Sequence, residues 1–237
     1  MKNDGSILSF VVITLNDASG LPRCLESLPD GCEIIVVDSG SVDATVEIAN
    51  RFGAKVVHRA FDNFSNQKNF ALDQASRPWV LSVDADEVLS SELRNSVVAL
   101  VNQLPTERSP AYRLKRRLVF LGRELRFGRT EDEPIRLLSK GAGRFMGSIH
   151  EHLDTGNRHC STIRNGHLLH HSYTDLTDYF NKFNRYTTLV AKDRMETGRP
   201  MRFGFLQCLR PWIEFGHRYF IRLGFLDGYA GYCYALC

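Results

Sequence analysis

Residues 79–87 read WVLSVDADE, and this stretch decides the fold. The apolar run is typical of a buried strand, and it ends in Asp84 and Asp86. Because side chains alternate along a strand, residues two apart emerge on the same side. Carboxylate oxygens in this arrangement suit Mg²⁺ or Mn²⁺, which bind through one or two carboxylates together with substrate phosphates. A solvated turn at the strand end is the alternative, so the motif needs support from its surroundings.

Outward from that strand, the first hundred residues alternate between strand and helix patterns. Apolar runs predict strands at residues 7–15, 33–38, 54–58 and 79–84, and helical spacing predicts helices from residue 21 and at residues 42–52, 66–75 and 90–104. This alternation predicts an α/β fold with a parallel sheet that helices cover on both sides. Ligands bind such sheets where the strands end and the loops begin.

Polar residues occur at this edge in every one of the four strand–helix units. Thr14 and Asn16 close the first strand, and Asp38 and Ser39 close the second. Asp38 could accept hydrogen bonds from a base or ribose, and the turn after it leads into a helix N-terminus that favours an anion. Lys68, in the helix before the DAD strand, could reach a diphosphate. Helix capping and solvated surface are the alternatives for each residue alone, but coincidence at four strand ends favours a site.

After Pro105 the pattern changes. A hairpin is expected around Gly122, followed by strands at residues 135–139, 143–153 and 165–173. From Asp175 the spacing of apolar residues is helical. We therefore expect a catalytic domain at residues 1–174 and a helical C-terminal extension at residues 175–237.

The extension contains a basic stripe opposite an apolar one. Arg210, Glu214, Arg218 and Arg222 recur every four residues, while aromatic and aliphatic residues fall largely on the other side. This pattern is typical of a helix that lies on an anionic membrane surface. A helix packed on its own domain or on a second subunit of a homo-oligomer fits equally well.

Composition excludes several classes of protein. The 237 residues are 43% hydrophobic and 24% charged, which argues against disorder, and a net charge of +3 is too small to indicate nucleic-acid binding. The six cysteines show no metal-binding spacing, which favours structural thiols in a reducing compartment. The sequence contains no run of 18 apolar residues, so no membrane span is predicted. Residues 7–15 are typical of a strand rather than a signal peptide.

Several segments resemble a known family. ILSFVVITLND, EIIVVDSGSVDAT, FSNQKNFALDQA and WVLSVDADEVLS resemble motifs of the family 2 glycosyltransferases, whose GT-A fold is a Rossmann-like, mostly parallel sheet flanked by helices. PIRLLSKGAGRFMGSIHEHL and LLHHSYTDLTDYFNKFNRYTTLVA resemble the bacterial branch that includes the lipopolysaccharide inner-core β-1,4-glucosyltransferases. The similarity runs from Ile7 to Ala230, and the GT-A fold with a C-terminal helical extension is the fold it implies.

The resemblance also implies residue roles. Asp38 would contact the uracil or ribose, Asp84 the ribose or sugar, and Asp86 the metal that bridges the diphosphate. The remaining nucleotide-sugar contacts would come from the other residues near the strand ends: Thr14, Asn16, Ser39, Lys68 and Ala85. Mg²⁺ or Mn²⁺ is the expected cofactor. His170 and His171 could add a metal or phosphate contact, and His171 is the expected second metal ligand.

Inversion by direct displacement, which the family resemblance implies, needs a carboxylate to take the proton of the acceptor hydroxyl. Glu151 is the favoured base because it lies between His150 and His152 in an apolar-flanked segment, where burial would raise its pKa. The two histidines could orient the acceptor. The alternative base is in the acidic trio Glu131, Asp132 and Glu133, whose charged surroundings are more typical of a solvated turn.

The expected function is metal-dependent, inverting transfer of a hexose, foremost glucose, from a UDP-sugar to a glycan or lipid-linked glycan such as lipopolysaccharide core heptose. The expected location is the cytoplasm, peripheral on the inner membrane. A sugar nucleotidyltransferase is one alternative, although TLNDASGLPR fits poorly the Gly-rich, Arg-containing loop that such enzymes need after the first strand. An aspartyl phosphatase would carry its DxD after the first strand. A non-catalytic, membrane-associated sugar-nucleotide-binding protein is the third alternative.

Overall fold

Strand β1 (Leu8–Thr14) lies between two parallel neighbours, and the first half of the sheet is built around it. The computed structural model describes residues 5–103, 109–147, 151–173, 175–196, 198 and 205–237. The chain divides into two compact units. The first contains Met1–Arg116 and Asp132–His170, and the second contains Arg117–Glu131 and His171–Cys237. The boundary expected near residue 174 stays a prediction.

The parallel half of the first unit has four strands and four helices. They are β1, α1 (Leu21–Glu26), β2 (Glu33–Asp38), α2 (Thr45–Arg51), β3 (Lys55–His58), α3 (Phe64–Gln74), β4 (Trp79–Asp84) and α4 (Ser91–Val101). The strand order is β3-β2-β1-β4, and every pair is parallel. Thr14 is in register with Asp38, and Ile13 with Asp84, so the polar strand ends meet at one edge.

The second half of the sheet is antiparallel where its register is defined. Its strands are β5 (Glu87–Leu89), β6 (Ala111–Phe120), β7 (Arg123–Glu124), β8 (Glu131–Asp132), β9 (Ile135–Ser139) and β12 (Cys160–His170). The order continues from β4 as β9-β6-β12-β5. Residues 143–153, expected as one strand, contain two short antiparallel strands, β10 (Arg144–Met146) and β11 (His152–Asp154), with residues 148–150 outside the described chain.

Alternation along the central strands sends successive side chains into two cores. Phe10 and Val12 pack in the cluster that includes residues of α1, α2 and α4, while Val11 packs in the cluster that includes Ala71 and Leu72 of α3. The sheet is thus covered on both faces, which is why its strands are almost continuously apolar. The predicted α/β fold, with helices flanking the sheet, is confirmed.

The second unit begins with the expected hairpin. Val119 pairs with Glu124 and Phe120 with Arg123, and the two residues between have positive φ, 50° at Leu121 and 73° at Gly122. Two positive φ values are those of a type I′ turn, whose twist matches that of the flanking strands. Glycine adopts this conformation without strain.

The rest of the second unit is helical, as predicted. It consists of α5 (Leu176–Glu196), α6 (Phe205–Gly216), a π-helical turn (His217–Ile221), a 3-10 turn (Gly224–Asp227) and α7 (Gly228–Leu236). Phe120 is central to its core, with the rings of Tyr173, Tyr179 and Tyr234 at centroid distances of 5.9, 5.7 and 5.6 Å. None of the helices in the described ranges is long and apolar enough to cross a membrane.

Helix α4 is fixed to β12 at a glycine. Ser90 caps the helix by accepting from Leu93 N at 3.2 Å, and its N–H donates to His167 O at 2.9 Å. Gly166 has a φ of 87°, and a Cβ there would overlap the backbone of Leu93. This contact holds the first turn of α4 directly against the strand.

We expect Gly166→Ala to lower the free energy of unfolding by at least about 2 kcal/mol, because steric overlap adds to the cost of a left-handed alanine. Gly53→Ala is the matched control, since Gly53 has a φ of 72° but open space around its Cα. The control should lose only about 1 kcal/mol. Urea unfolding followed by circular dichroism measures both, and equal losses would contradict the close approach at Gly166.

Candidate active site

The carboxylate of Asp38 is held by the turn that follows β2. It accepts hydrogen bonds from Gly40 N at 2.9 Å, Ser41 N at 3.0 Å and the Ser41 hydroxyl at 2.5 Å. Burial would raise the pKa of Asp38, but these hydrogen bonds outweigh it and hold the pKa below its ordinary value. Asp38 is therefore an ionised, oriented acceptor at the end of its strand.

The loop after β1 is tied to the same turn. Asn16 donates its N–H to Ser41 Oγ at 2.8 Å, and its side-chain oxygen accepts from Val42 N at 2.8 Å. Ser39 donates its N–H to Thr14 O at 3.0 Å. The structure therefore brings together Thr14, Asn16, Asp38 and Ser39, as the sequence predicts.

Thr14 adds a polar atom that needs a partner. Its hydroxyl is buried and makes no hydrogen bond within the part of the chain that is described. A buried hydroxyl without a partner is costly, so this atom marks a place where a ligand or water would complete the site.

Lys68 occupies the centre of the site. Its side chain is 3% exposed, and its ammonium lies 2.7 Å from Asp84 Oδ1 and 3.0 Å from Glu151 Oε1. It also lies over the ring of Phe145, 5.4 Å from the centroid. One buried cation therefore joins the carboxylate at the end of β4 to a carboxylate that is 67 residues later in the chain.

Polar contacts from α3 hold the segment that leads to Glu151. The Asn69 amide donates to Phe145 O at 2.9 Å and accepts from Phe145 N at 2.8 Å. The Ser65 hydroxyl donates to Gly147 O. Because Lys68 belongs to the same helix, these contacts fix β10 relative to the Lys68 ammonium.

On its other side, Asp84 begins a chain of alternating charges. Arg136 Nη2 lies 2.7 Å from Asp84 Oδ2 and 2.8 Å from Glu87 Oε1, and Arg116 Nη1 lies 2.8 Å from the same Glu87 oxygen. Arg116 then holds both oxygens of Asp132, at 2.8 and 2.6 Å. Both oxygens of Asp84 are thus paired with cations. Burial would raise the pKa of Asp84, but Arg136 and Lys68 outweigh it and hold that pKa well below its ordinary value.

Three members of this network, Arg136, Glu87 and Arg116, were not predicted from the sequence. The available signal was a charged residue inside an apolar strand, since β9 reads IRLLS and the stretch around β5 reads EVL. Buried charges of this kind are rare unless they are paired.

Asp86 is more accessible than Asp84. Its side chain is 34% exposed, and its Oδ2 lies 3.3 Å from His170 Nε2. Burial lowers the pKa of His170, but the hydrogen bond and charge of Asp86 outweigh it, and the pKa lies above its ordinary value. His170 therefore supplies an imidazole beside Asp86. His171 follows it in the chain and belongs to the second unit, and its assignment as a metal ligand stays a prediction.

The residues present fit a hard divalent cation that shares its coordination with a substrate. Among the described residues, no group of three or more His, Cys, Asp and Glu side chains is arranged to hold a metal. Mg²⁺ and Mn²⁺ do not require such a cage, since one carboxylate with phosphate oxygens and water suffices. Asp86 could supply that carboxylate. Ala85 is buried in the turn beside it.

The other predicted residues are more peripheral. His152 is exposed in β11, and His150 lies outside the described residues. In the acidic trio, Asp132 is paired with Arg116 as above, and Glu131 lies 2.8 Å from Arg117. Glu133 contributes its backbone carbonyl to Arg113 at 3.2 Å.

We expect Arg136→Gln to lower the free energy of unfolding of the first unit by about 3–5 kcal/mol, because it leaves Asp84 and Glu87 short of a cation in a buried site. Arg51→Gln is the control. Arg51 pairs with Glu47 at 3.8 Å on the surface, where both side chains are more than 60% exposed, and its loss should cost at most about 1 kcal/mol. Denaturation in urea compares the two variants, and a similar small loss in both would show that the ion network contributes little.

Comparison with known proteins agrees with this arrangement. The model of the family "Glycosyl transferase family 2" matches residues 9–107. The lipopolysaccharide core biosynthesis glycosyltransferase LpsC of Rhizobium meliloti is 32% identical over 234 residues, which cover 93% of this chain and 82% of LpsC. An uncharacterised glycosyltransferase of Rickettsia typhi is 31% identical and covers 95% of this chain and 80% of its own.

Solved structures show partial similarity. TarS of S. aureus is 26% identical with a TM-score of 0.42, covering 47% of this chain and 22% of TarS. Glucosyl-3-phosphoglycerate synthase of Mycobacterium tuberculosis is 24% identical with a TM-score of 0.36, covering 50% of this chain and 45% of the synthase. The extent of the match to LpsC and the match to the family model establish that this chain belongs to the family 2 glycosyltransferases.

Proposed function

We propose that this glycosyltransferase moves a hexose, foremost glucose, from a UDP-sugar to a glycan acceptor of the lipopolysaccharide core, with inversion at the anomeric carbon. The observation that carries the proposal is the position of Lys68, whose ammonium lies within 3.0 Å of both Asp84 and Glu151. A donor-side carboxylate and a candidate base thereby share one site. The core acceptor, with heptose as its first candidate, is proposed because LpsC, named for core biosynthesis, is similar over most of its length.

The nucleoside end of the donor would lie at the β1–β2 edge. Asp38 is ionised and oriented there, so it can accept hydrogen bonds from a uracil N–H or a ribose hydroxyl. Thr14, with its unpartnered hydroxyl, Asn16 and Ser39 would complete this end. Lys68 and the Asp84–Ala85 turn would lie toward the diphosphate and sugar.

The charges of the site explain why a divalent cation is expected. The network contains the cations Lys68, Arg136 and Arg116 against the carboxylates Asp84, Glu87, Asp132 and Glu151, before Asp86 is added. An anionic diphosphate does not complement such a site by itself. Asp86 would hold the metal, with His170 beside it and His171 as the further predicted ligand. When bound, the metal would stabilise negative charge on the departing diphosphate.

Glu151 is the proposed base. It would accept the proton of the acceptor hydroxyl while that oxygen forms a bond to the anomeric carbon and the bond to the diphosphate breaks. Asp132 is a poorer candidate, because Arg116 engages both of its oxygens. Lys68 contacts only Oε1 of Glu151, and among the described residues no donor engages Oε2.

The acceptor would be a lipid-linked glycan at the cytoplasmic face of the inner membrane, with the enzyme attached peripherally. This placement follows from the lipopolysaccharide acceptor and from the amphipathic pattern of the C-terminal extension. A sugar nucleotidyltransferase does not fit a chain that belongs to a glycosyltransferase family. The presence of Asp38, Asp84, Asp86 and Glu151 argues against a non-catalytic binding protein that has kept the fold but lost turnover.

The donor and metal are tested by incubating the protein with UDP-, GDP- and CMP-sugars and a core glycan, with and without Mn²⁺. We expect release of UDP from UDP-glucose that depends on Mn²⁺, and Asp86→Asn should abolish it because a neutral amide is a weaker metal ligand. Asp73→Asn, which alters an exposed carboxylate on the same unit, is the control. Metal-independent transfer, or full activity of Asp86→Asn at limiting Mn²⁺, would contradict the metal assignment.

The base is tested separately with two isosteric changes. Glu151→Gln should lower kcat by about 10²–10⁴-fold, because proton transfer from the acceptor is lost. UDP affinity, measured by calorimetry, should change little. Asp132→Asn is the matched control and should retain most of the activity. If Asp132→Asn is inactive and Glu151→Gln active, the base assignment is wrong while the family assignment stands.

A further inference from the structure

The second unit exposes an unusual amount of apolar surface near its C-terminus. Trp212, Ile213, Phe220, Ile221 and Tyr229 are each more than 60% exposed. Further partly exposed members lie in the same stretch of chain: Leu209, Leu223, Phe225, Leu226, Tyr232 and Leu236. Single exposed apolar residues are ordinary, but a concentration of them marks an interaction surface.

Aromatic rings in this part of the chain pack against one another. The ring of Tyr219 contacts those of Phe215, Phe225 and Tyr232, at centroid distances of 5.3, 6.1 and 5.7 Å. Gly128 N donates to Arg222 O at 3.0 Å, which joins the turn after β7 to the π-helical turn. We call the exposed residues of 209–236 together with this turn the apolar–basic face.

The charges of the face are predominantly basic. Its acidic residues are engaged within the unit: Glu214 with Arg218 Nε at 2.9 Å, and Asp227 with the N–H groups of Arg126 and Phe127 at 2.9–3.2 Å. Arg123, Arg126, Arg129, Arg210 and Arg222 supply positive charge in the same segments. A second copy of the chain would bring like charges together on this face, whereas an anionic partner complements it.

A cavity of about 500 Å³ opens in this unit. Arg123, Arg126, Phe127 and Leu226 line it together with Gly122, Glu124 and Asp227. The Glu124 carboxylate is 2.6 Å from Arg117, and its contact with Arg126 is longer, at 3.8 Å. Asp227 is engaged as above. A Cβ at Gly228 would lie 3.1 Å from Arg123 Nη1, so glycine lets the guanidinium approach the start of α7. The cavity thus presents two guanidinium groups beside an apolar rim, which matches a phosphate attached to a hydrocarbon.

We propose that the apolar–basic face docks on an anionic phospholipid bilayer, with the phosphate of one lipid received between Arg123 and Arg126. The exposed aromatic and aliphatic side chains would enter the headgroup region, where amphipathic aromatics are favoured. The arginines would add attraction that depends on anionic lipid. This inference deepens the peripheral attachment proposed above by naming the face and the lipid group that it binds. The lipid site uses residues outside the candidate active site and does not depend on the identity of the sugar or the acceptor.

The two tryptophans of the chain provide a built-in probe. Trp79 is 4% exposed in the first unit, while Trp212 is 71% exposed on the proposed face. Vesicles of phosphatidylcholine with 30% phosphatidylglycerol (about a third anionic lipid) should shift the fluorescence of the full chain to shorter wavelength. Trp212→Phe should abolish the shift. No shift with these vesicles, or a shift that survives Trp212→Phe, would overturn the proposed insertion.

The lipid phosphate site is tested by co-sedimentation with the same vesicles. Arg123→Gln and Arg126→Gln should each weaken binding about fivefold, as expected for one basic residue near an anionic surface. Arg51→Gln, on an exposed helix of the first unit, should bind as the unchanged protein does. Equal binding to pure phosphatidylcholine, or no loss in either arginine variant, would overturn the site.

The remaining outcomes separate this inference from the proposed activity. UDP release in the absence of vesicles should be the same for Arg123→Gln as for the unchanged protein. Light scattering should show no dimer. A dimer that buries Trp212 would identify a second copy of the chain as the partner of the apolar–basic face. A failed transferase assay with intact, arginine-dependent vesicle binding would refute the proposed substrates and leave the lipid site in place.

Discussion

The burial of the Lys68 ammonium is the constraint on which the site depends. A cation removed from water is unstable unless carboxylates surround it, so Lys68 requires Asp84 and Glu151 to be in place. The carboxylates in turn depend on Lys68, because Asp84 and Glu151 lie on segments that are far apart in the sequence. Helix α3 places Lys68 at this position. Asn63 caps the helix, because its side chain accepts a hydrogen bond from Asn66 N at 2.8 Å. Ser65 and Asn69 of the same helix form hydrogen bonds that hold β10 and the residue after it beside the helix.

The ion network beyond Asp84 extends this pairing of charges into the antiparallel half of the sheet. Arg136 arrives on β9 and Arg116 on β6, and both meet at Glu87. Three of the strands that extend the sheet past β4, namely β9, β6 and β5, thus contribute a charge to the back of the site. The strands are therefore held in place by apolar packing and also by the pairing of buried and half-buried charges.

Much of the fold could be predicted from the sequence, because apolar runs of strand length alternate with helical spacing up to α4. The edge site could also be predicted, since parallel strands end together and β4 ends at Asp84, two residues before Asp86. The pairing of Lys68 with Glu151 could not be predicted, because it depends on where the segment that contains β10 packs against α3. The contact of His170 with Asp86 had the same difficulty, because it joins residues that are 84 positions apart in the chain. Arg136 was missed because a single charge in an apolar strand gives no indication of its partner.

The register of β1 with β2 and β4 has an evolutionary consequence. Thr14 lies opposite Asp38 and Ile13 opposite Asp84 only while the strands keep their lengths. Removing one residue from β4 upstream of Asp84 would turn every later side chain of the strand to the other face. Asp84 would then exchange places with a core residue in a single step. Insertions and deletions in this lineage should therefore accumulate in the loops at the opposite edge of the sheet, while these three strands diverge by substitution alone.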